Sequence, residues 1–207
     1  MYKVIATGST GNAILYHDSI LVDCGVPYSL LKSDIKKIQI ILLTHEHGDH
    51  LNLATLEKIS FERPSIRFAC GSFLLDKVKH LRNVDVLEAG NIYNYGQFKI
   101  SPVTLYHDVS NFGYRIMKGE HRTIHATDTG HLQGITAPGY NLYAIEHNYD
   151  ADSIDERIKA KTDAGEFSHE KGVINSHLSE QQAQDFIYQN KIGDAHVLKL
   201  HKSTTYI

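Results

Sequence analysis

The densest group of residues able to do chemistry lies between positions 45 and 50, which hold His45, Glu46, His47, Asp49 and His50. An apolar run at positions 40–43 comes just before them and is typical of a short buried strand. Neutral imidazole and carboxylate are ligands that suit zinc, manganese or iron. Because gathering so many polar groups beside an apolar strand is costly unless something pairs them, the segment predicts a site for a divalent cation.

The same order, an apolar strand followed by a ligand-type side chain, recurs later in the chain. The residues that end or follow these later strands are His107, Asp128, Glu146 and His201. A further histidine, His177, lies just before a predicted helix. One such strand end is commonplace, but their repetition indicates that strand ends meet at one edge of the sheets and build a polar, metal-binding rim.

The elements that must position these residues are short strands punctuated by helices. Predicted strands cover residues 3–6, 13–16, 20–23, 40–43, 66–69, 84–87, 91–95, 98–106, 113–117, 123–126, 141–145 and 197–200. Predicted helices cover residues 27–38, 51–59, 73–79, 154–160 and 180–189. The order favours two sheets packed face to face with helices outside, which is a layered α/β sandwich.

The composition of the chain limits the number of domains and the cellular compartments that we expect. The chain of 207 residues is 42% hydrophobic, so we expect one domain over residues 1–207, with two small domains as the upper limit. Its formal net charge of −3 supplies no global field that attracts nucleic acid, although bound cations would add local positive charge. Cys24 and Cys70 are too few for a disulfide framework, and neither a signal peptide nor a membrane span is evident. We therefore expect a cytoplasmic protein with no membrane partner; its oligomeric state stays open.

These residues resemble the metallo-β-lactamase superfamily, whose signature is His-X-His-X-Asp-His after a strand. His45-X-His47-X-Asp49-His50 matches that signature in full. Within the superfamily the chain looks most like the YycJ/WalJ-type hydrolases, with shared features in order along nearly the whole chain: residues 8–13, 21–25, 126–130, 146–150, 177–179 and 201. The resemblance implies the four-layer αβ/βα sandwich of that superfamily.

The resemblance also implies a site for two divalent ions, zinc or manganese. The implied ligands are His45, His47 and His107 for the first ion, Asp49, His50 and His201 for the second, and Asp128 as a bridge. Glu46 is expected to turn away from the site, and Asp23 is expected to orient a ligand histidine through its other ring nitrogen.

The predicted catalytic residues are Asp49, His177 and Glu146. By resemblance to nuclease relatives, His177 would protonate the leaving oxygen while Glu146 orients it, because an alkoxide departs slowly unless it is protonated. The competing assignment makes His177 the last ligand and His201 the acid; we prefer His201 as the ligand because it ends a predicted strand.

The predicted activity is metal-dependent hydrolysis of a phosphodiester by an activated water, with DNA as the preferred substrate. Three alternatives stay open. The first is a cyclic nucleotide or cyclic sugar phosphate, which the acidic balance and compact chain favour. The second is hydrolysis of a thioester or lactam, and the third is a non-catalytic binding module that kept the fold.

Two further features have two interpretations each. A group of tyrosines, Tyr93, Tyr95, Tyr106 and Tyr114, favours packing within a sheet over a platform that stacks nucleobases. Glycines at positions 8 and 11 fit a phosphate cradle or a simple turn equally well. Several other histidines, His131 among them, have no chemical context in the sequence and are expected to be surface or strand residues.

Overall fold

The computed structural model describes residues 2–164, 166–168 and 170–203. Its contacts divide the chain into two compact units, Met1–Asn91 and Ile92–Ile207. That residues 1–207 act as one domain stays a prediction. Within the described ranges, no helix combines the length and the apolar character needed to cross a bilayer.

The first unit is built on a six-stranded mixed sheet with the strand order β1-β2-β3-β4-β5-β6. The strands are β1 (Tyr2–Ala6), β2 (Ala13–Tyr16), β3 (Ile20–Val22), β4 (Ile40–Leu42), β5 (Arg67–Gly71) and β6 (Val84–Leu87). The helices are α1 (Tyr28–Leu31), α2 (Leu53–Glu62) and α3 (Leu75–Val78), with a 3-10 turn at Ser72–Leu74. The pairs β3–β4, β4–β5 and β5–β6 are parallel, so the carboxyl ends of β3 to β6 lie at one edge.

The middle of this sheet is fully apolar because it is covered on both faces. Every residue of β2, β3 and β4 is buried. Helix α2 begins at Asn52, whose side chain accepts a hydrogen bond from the Thr55 amide at 3.0 Å, as an N-cap does. Its residues Leu56 and Ile59 are fully buried in the same core cluster. The loop between β4 and α2 is thus anchored at both ends.

The second unit holds another six-stranded mixed sheet, with the order β12-β11-β10-β9-β8-β7. Its strands are β7 (Tyr93–Tyr95), β8 (Phe98–Tyr106), β9 (Ser110–Lys118), β10 (His121–Ala126), β11 (Leu142–Glu146) and β12 (His196–Leu200). Its helices are α4 (Ala151–Asp163), α5 (Glu170–Ser176) and α6 (Glu180–Asn190). Strands β10, β11 and β12 are parallel. Because β9 is antiparallel to both β8 and β10, β8 ends at the same edge as these three.

One helix prediction needs correction, and one helix was not predicted. The helix expected over residues 27–38 stops at Leu31 and continues as turns. The side chain of Ser33 donates to Asp34 at 2.9 Å, and Lys3 reaches the same carboxylate at 2.7 Å, so local and tertiary polar contacts compete with the helical ladder. Helix α5 was not predicted at all.

Candidate metal centre

The histidine-rich loop of the first unit leaves β4 and returns beside β3. The His50 amide donates to the His47 carbonyl at 2.9 Å, which closes a tight turn over the cluster. The His50 carbonyl then accepts from the Cys24 amide at 3.0 Å, which ties the returning chain to the segment after β3. As a result His45 and His50 are fully buried, with ring centroids 4.2 Å apart.

Both carboxylate oxygens of Asp23 contact this loop. Its Oδ1 accepts from the Thr44 amide at 2.9 Å, and its Oδ2 lies 2.7 Å from Nδ1 of His50. Burial raises the pKa of Asp23, while the proximity and hydrogen bonds of His50 and Thr44 oppose that rise. With the shared proton on Nδ1, the lone pair of His50 is on Nε2, which is the atom available to a metal. The structure therefore shows the contact expected of Asp23.

Asn12 supports the same tautomer from the opposite side of the ring. Its Nδ2 lies 2.9 Å from Nε2 of His50 and 3.0 Å from the carbonyl of Gly8. A carbonyl can only accept, so the Asn12 atom is a donor and the lone pair on Nε2 of His50 accepts. Binding of an ion by this Nε2 would therefore require the Asn12 contact to change. This role of Asn12 was not predicted, although the residue lies in the motif at positions 8–13.

A glycine makes the close packing of the loop possible. A Cβ at Gly25 would lie 1.7 Å from the carbonyl oxygen of Asp49, so only glycine fits there. The Asn12 amide also donates to that carbonyl, at 2.7 Å. The loop position of Asp49 is thus fixed by backbone contacts, while its side chain stays 24% exposed.

The remaining residues of the loop divide as their alternation predicts. Nε2 of His45 lies 3.2 Å from Nδ1 of His47, so these two rings share one polar face. Glu46 is exposed and forms an ion pair with Lys77, with 3.0 Å between Oε2 and Nζ. This side chain faces another partner and does not join the histidine cluster.

In the second unit, four strands bring predicted site residues to one edge of the sheet. His107 follows β8, Asp128 follows β10, Glu146 ends β11 and His201 follows β12. Since these strands run in the same direction, their ends meet. Asp128, Glu146, His177 and His201 each offer a donor atom, and these four atoms all lie within 4.8 Å of one another.

Glu146 is the fixed centre of this cluster. It is fully buried, and its Oε2 accepts from the amides of Thr129 at 2.9 Å and Leu178 at 3.2 Å. Its Oε1 lies 2.6 Å from Nδ1 of His177. Burial lowers the pKa of His177, but the hydrogen bond and charge of Glu146 outweigh that effect, so the pKa lies above its ordinary value.

His201 presents a different arrangement. Its Nδ1 lies 3.0 Å from Nδ2 of Asn148, which also donates to the carbonyl of His201 at 3.1 Å. A neutral ring that accepts at Nδ1 carries its proton on Nε2, which lies 3.6 Å from Oδ1 of Asp128. Binding of an ion by Nε2 would therefore require the Asn148 contact to change. This contact opposes the preferred assignment of His201 as a ligand. The raised pKa of His177 supports that assignment, because it favours His177 as the proton donor.

Both ring nitrogens of His107 have a partner, and Nε2 lies 3.1 Å from Oδ1 of Asp108. Its Nδ1 donates to the carbonyl of Ser176 at 2.7 Å, and its side chain is 3% exposed. Burial is the main cause that lowers its pKa, and a lowered pKa favours the neutral ring that binds metals. Its ring centroid lies 5.2 Å from that of His177.

The donor set fits divalent ions. Each unit gathers imidazole and carboxylate groups that are mostly buried, which is costly without a cation to pair them. Asp23, Asp128 and His201 also have positive φ angles of 61°, 55° and 46°, and such strained backbone persists where surrounding contacts impose it. How the residues of the two units share ions stays a prediction.

Two curated relatives have nuclease names. Ribonuclease Z of Thermosynechococcus vestitus is 31% identical over 119 residues, which cover 48% of this chain and 29% of that protein. Exodeoxyribonuclease YycJ of Bacillus anthracis is 22% identical over 174 residues, which cover 74% of this chain and 64% of that protein. The chain thus matches less than two thirds of the length of these relatives.

A solved structure supports the fold. The metallo-beta-lactamase fold protein YhfI from Bacillus subtilis aligns with a TM-score of 0.65 and 16% identity, covering 97% of this chain and 96% of that one. The predicted fold class is therefore confirmed.

The family model described as "Beta-lactamase superfamily domain" matches residues 19–142, which include the histidine-rich loop, His107 and Asp128. Since this match spans more than half of the sequence, the chain belongs to the beta-lactamase superfamily.

Proposed function

We propose that the protein is a metal-dependent phosphodiesterase that acts on nucleic acid. The observation that carries the proposal is the cluster of Asp128, Glu146, His177 and His201, whose donor atoms lie within 4.8 Å of one another. The nuclease names of the curated relatives support hydrolysis of a phosphodiester over that of a thioester or lactam. We place the reaction in the cytoplasm, as expected from the sequence.

The predicted ligands stand as the proposed ones: His45, His47, His107, Asp49, His50, His201 and Asp128, which would hold two ions of zinc or manganese. When bound, such ions lower the pKa of water toward neutrality and offset charge on phosphate oxygens. Asp23 keeps the proton of His50 on Nδ1, 2.7 Å from its carboxylate, so that Nε2 can bind.

Proton transfer to the leaving oxygen is the proposed task of His177. Glu146 holds the ring through the 2.6 Å contact at Nδ1, which fixes its orientation and favours its charged form. The charged ring carries a proton on Nε2, the atom that points away from Glu146. Delivery of that proton lets an alkoxide leave as an alcohol.

DNA is the first proposed substrate because the exodeoxyribonuclease relative aligns over most of this chain. RNA is the second, since a ribonuclease is the relative with the higher identity, at 31%. Both contain the phosphodiester that the site would bind. A protein contact to the ribose 2′-hydroxyl would distinguish RNA from DNA.

The test uses matched DNA and RNA oligonucleotides of one sequence, a cyclic nucleotide, and bis-p-nitrophenyl phosphate, each with manganese or zinc. We expect cleavage of an oligonucleotide, loss of cleavage with chelator, and weaker binding as salt increases. Turnover of the small esters without cleavage of either oligonucleotide would identify a small-molecule phosphodiesterase. No hydrolysis of any substrate with either metal would identify a binding module and contradict the proposal.

A matched pair of variants ties the activity to the site. Asp49→Asn removes a proposed ligand charge and should abolish hydrolysis. Glu46→Gln removes a charge of the same loop that faces Lys77, and should leave activity close to that of the parent. Equal activity in both variants would show that the histidine-rich loop takes no part in the reaction.

A further inference from the structure

Two aromatic rings are stacked beside the donor cluster of the second unit. The ring centroids of Tyr106 and His131 lie 4.0 Å apart, with 30° between their planes. Tyr106 is the last residue of β8 and is 47% exposed, and His131 is partly exposed. An exposed stacked pair offers a π surface at which a further ring can add to the stack.

Hydrogen bonds hold the two rings in this arrangement. The Tyr106 amide donates to Oγ1 of Thr129 at 3.0 Å, and that hydroxyl donates to the carbonyl of His131 at 2.8 Å. The Gly130 amide donates to the carbonyl of Tyr106 at 2.7 Å. Because these segments are already ordered, a ligand would lose little free energy in fixing them.

The backbone of the stacked pair is also connected to the proposed catalytic groups through Thr129. Tyr106 immediately precedes His107, and His131 follows Asp128 by three positions. Between them, the Thr129 amide donates to Oε2 of Glu146 at 2.9 Å, and Glu146 in turn holds His177. The backbone that carries the stacked pair is therefore hydrogen-bonded, through Thr129, to the carboxylate that holds His177.

Tyr106 differs from the other tyrosines of its group. Tyr114 is fully buried in the sheet, as packing requires, and Tyr93 and Tyr95 are partly buried in β7. Tyr106, by contrast, is 47% exposed and stacks on the ring of His131. The packing interpretation holds for Tyr114, and the platform interpretation fits Tyr106.

We propose that Tyr106 and His131 form a binding site for an unpaired nucleobase next to the scissile phosphodiester. The inference rests on the proposed function and narrows its substrate to single-stranded nucleic acid or a strand end, because paired bases do not offer their faces to a side chain. Stacking also supplies affinity that a chain of net charge −3 does not gain from a general positive field.

The test measures binding by fluorescence anisotropy, separately from cleavage. A labelled single-stranded oligonucleotide is compared with the same strand carrying abasic residues at every position, using the metal-loaded protein. We expect the strand with bases to bind about tenfold more tightly, the scale that one base stacked on an aromatic side chain provides. This ratio should persist as salt increases, because stacking does not depend on counterion release.

Three variants locate the effect. Tyr106→Ala should bring the ratio close to one, whereas Tyr106→Phe should keep it, because the phenyl ring retains the stacking face. Tyr188→Ala removes another exposed tyrosine, 88% exposed on α6, and should leave the ratio unchanged. A thermal melt of each variant shows whether it is folded, and the comparison of strands on the parent protein needs no variant.

The outcomes separate this inference from the proposed function. Equal binding of the two strands by the parent, or an unchanged ratio in folded Tyr106→Ala, would overturn the nucleobase site even if phosphodiesters are cleaved. A preserved ratio without any cleavage would retain the nucleobase site and refute the phosphodiesterase. A dinucleoside monophosphate, tested as a competitor, shows whether a short nucleotide is a sufficient source of the base.

Discussion

The contact between Asp23 and His50 allows a sharp prediction, because it sets which ring nitrogen can bind a metal. In Asp23→Asn, the amide oxygen must stay at the Oδ1 position, since that atom accepts from the Thr44 amide at 2.9 Å. The amide nitrogen then faces Nδ1 of His50, at the position from which Oδ2 is now 2.7 Å away. Two donors cannot share that contact, so the ring proton moves to Nε2 and the lone pair needed by a metal is lost.

The expected magnitude follows from the role of such a carboxylate. Loss of a partner that orients a ligand histidine weakens metal affinity by about 10- to 100-fold, or about 1.4–2.8 kcal/mol. The fold itself should tolerate asparagine, which accepts the positive φ of 61° at this position. Alanine would do more damage: it leaves the buried donors of Thr44 and His50 unpaired at about 1–3 kcal/mol each, and it adds about 1 kcal/mol for the left-handed backbone.

The assay is a competition for zinc between the protein and a chromophoric chelator, together with thermal unfolding in chelator. Asp18→Asn is the matched control, because Asp18 is an exposed aspartate with a similar φ of 57°. We expect weaker zinc binding in Asp23→Asn alone, and a lower unfolding temperature in Asp23→Ala. Zinc affinity equal to that of the parent in Asp23→Asn would refute the tautomer argument.

Three further predictions concern single positions. Asp128→Ala should abolish hydrolysis and lose at least one metal equivalent, as measured by elemental analysis. His177→Ala should keep its metal but slow cleavage of an oligonucleotide by about 10²- to 10⁴-fold, with a smaller loss on bis-p-nitrophenyl phosphate, whose leaving group departs without a proton. Gly25→Ala should lower the unfolding temperature and the metal content together, because its Cβ would lie 1.7 Å from the Asp49 carbonyl oxygen; overpacking of this kind costs about 1–3 kcal/mol.

For each of these three predictions, a specific result would contradict it. Full activity in Asp128→Ala would refute the scheme with two ions. Loss of one metal equivalent in His177→Ala would make that residue a ligand, and the contact between Asn148 and His201 would then identify His201 as the acid. For Gly25, the control is Gly48→Ala in the same loop, where a Cβ would meet nothing within 4 Å. Equal effects at both glycines would contradict the steric argument.

The sequence was most informative where the structure depends on adjacent residues. The histidine-rich loop follows a strand in the sequence and in the structure, so a single segment sufficed to locate it. The strand ends at His107, Asp128 and His201 were predictable because parallel strands bring their carboxyl ends to one edge. The roles of these residues as metal ligands stay predictions.

Other features depend on contacts between distant residues and left no local signal. The contact between Asn12 and His50 joins residues 38 positions apart, and Gly25 matters only because Asp49 packs against it. Helix α5 was missed because it contains a glycine and β-branched residues, which have low helix propensity. Yet α5 positions His177, whose amide donates to the Val173 carbonyl at 2.9 Å.

The stacking of Tyr106 on His131 also depends on contacts between residues that are distant in the sequence. The alternation of side chains between the two faces of the strand explains why Tyr114 is buried. It does not show that His131, which follows β10, would stack on Tyr106. Such a pair depends on the hydrogen bonds of Thr129, which connect β8 to the segment after β10.

Anomalous scattering at the zinc edge, recorded from crystals of the zinc-loaded protein, would show whether the proposed ligands hold two ions. We expect two strong peaks, one bounded by His45, His47 and His107 and the other by Asp49, His50 and His201, with Asp128 between them. Well-diffracting, zinc-loaded crystals without a peak at these side chains would contradict this expectation.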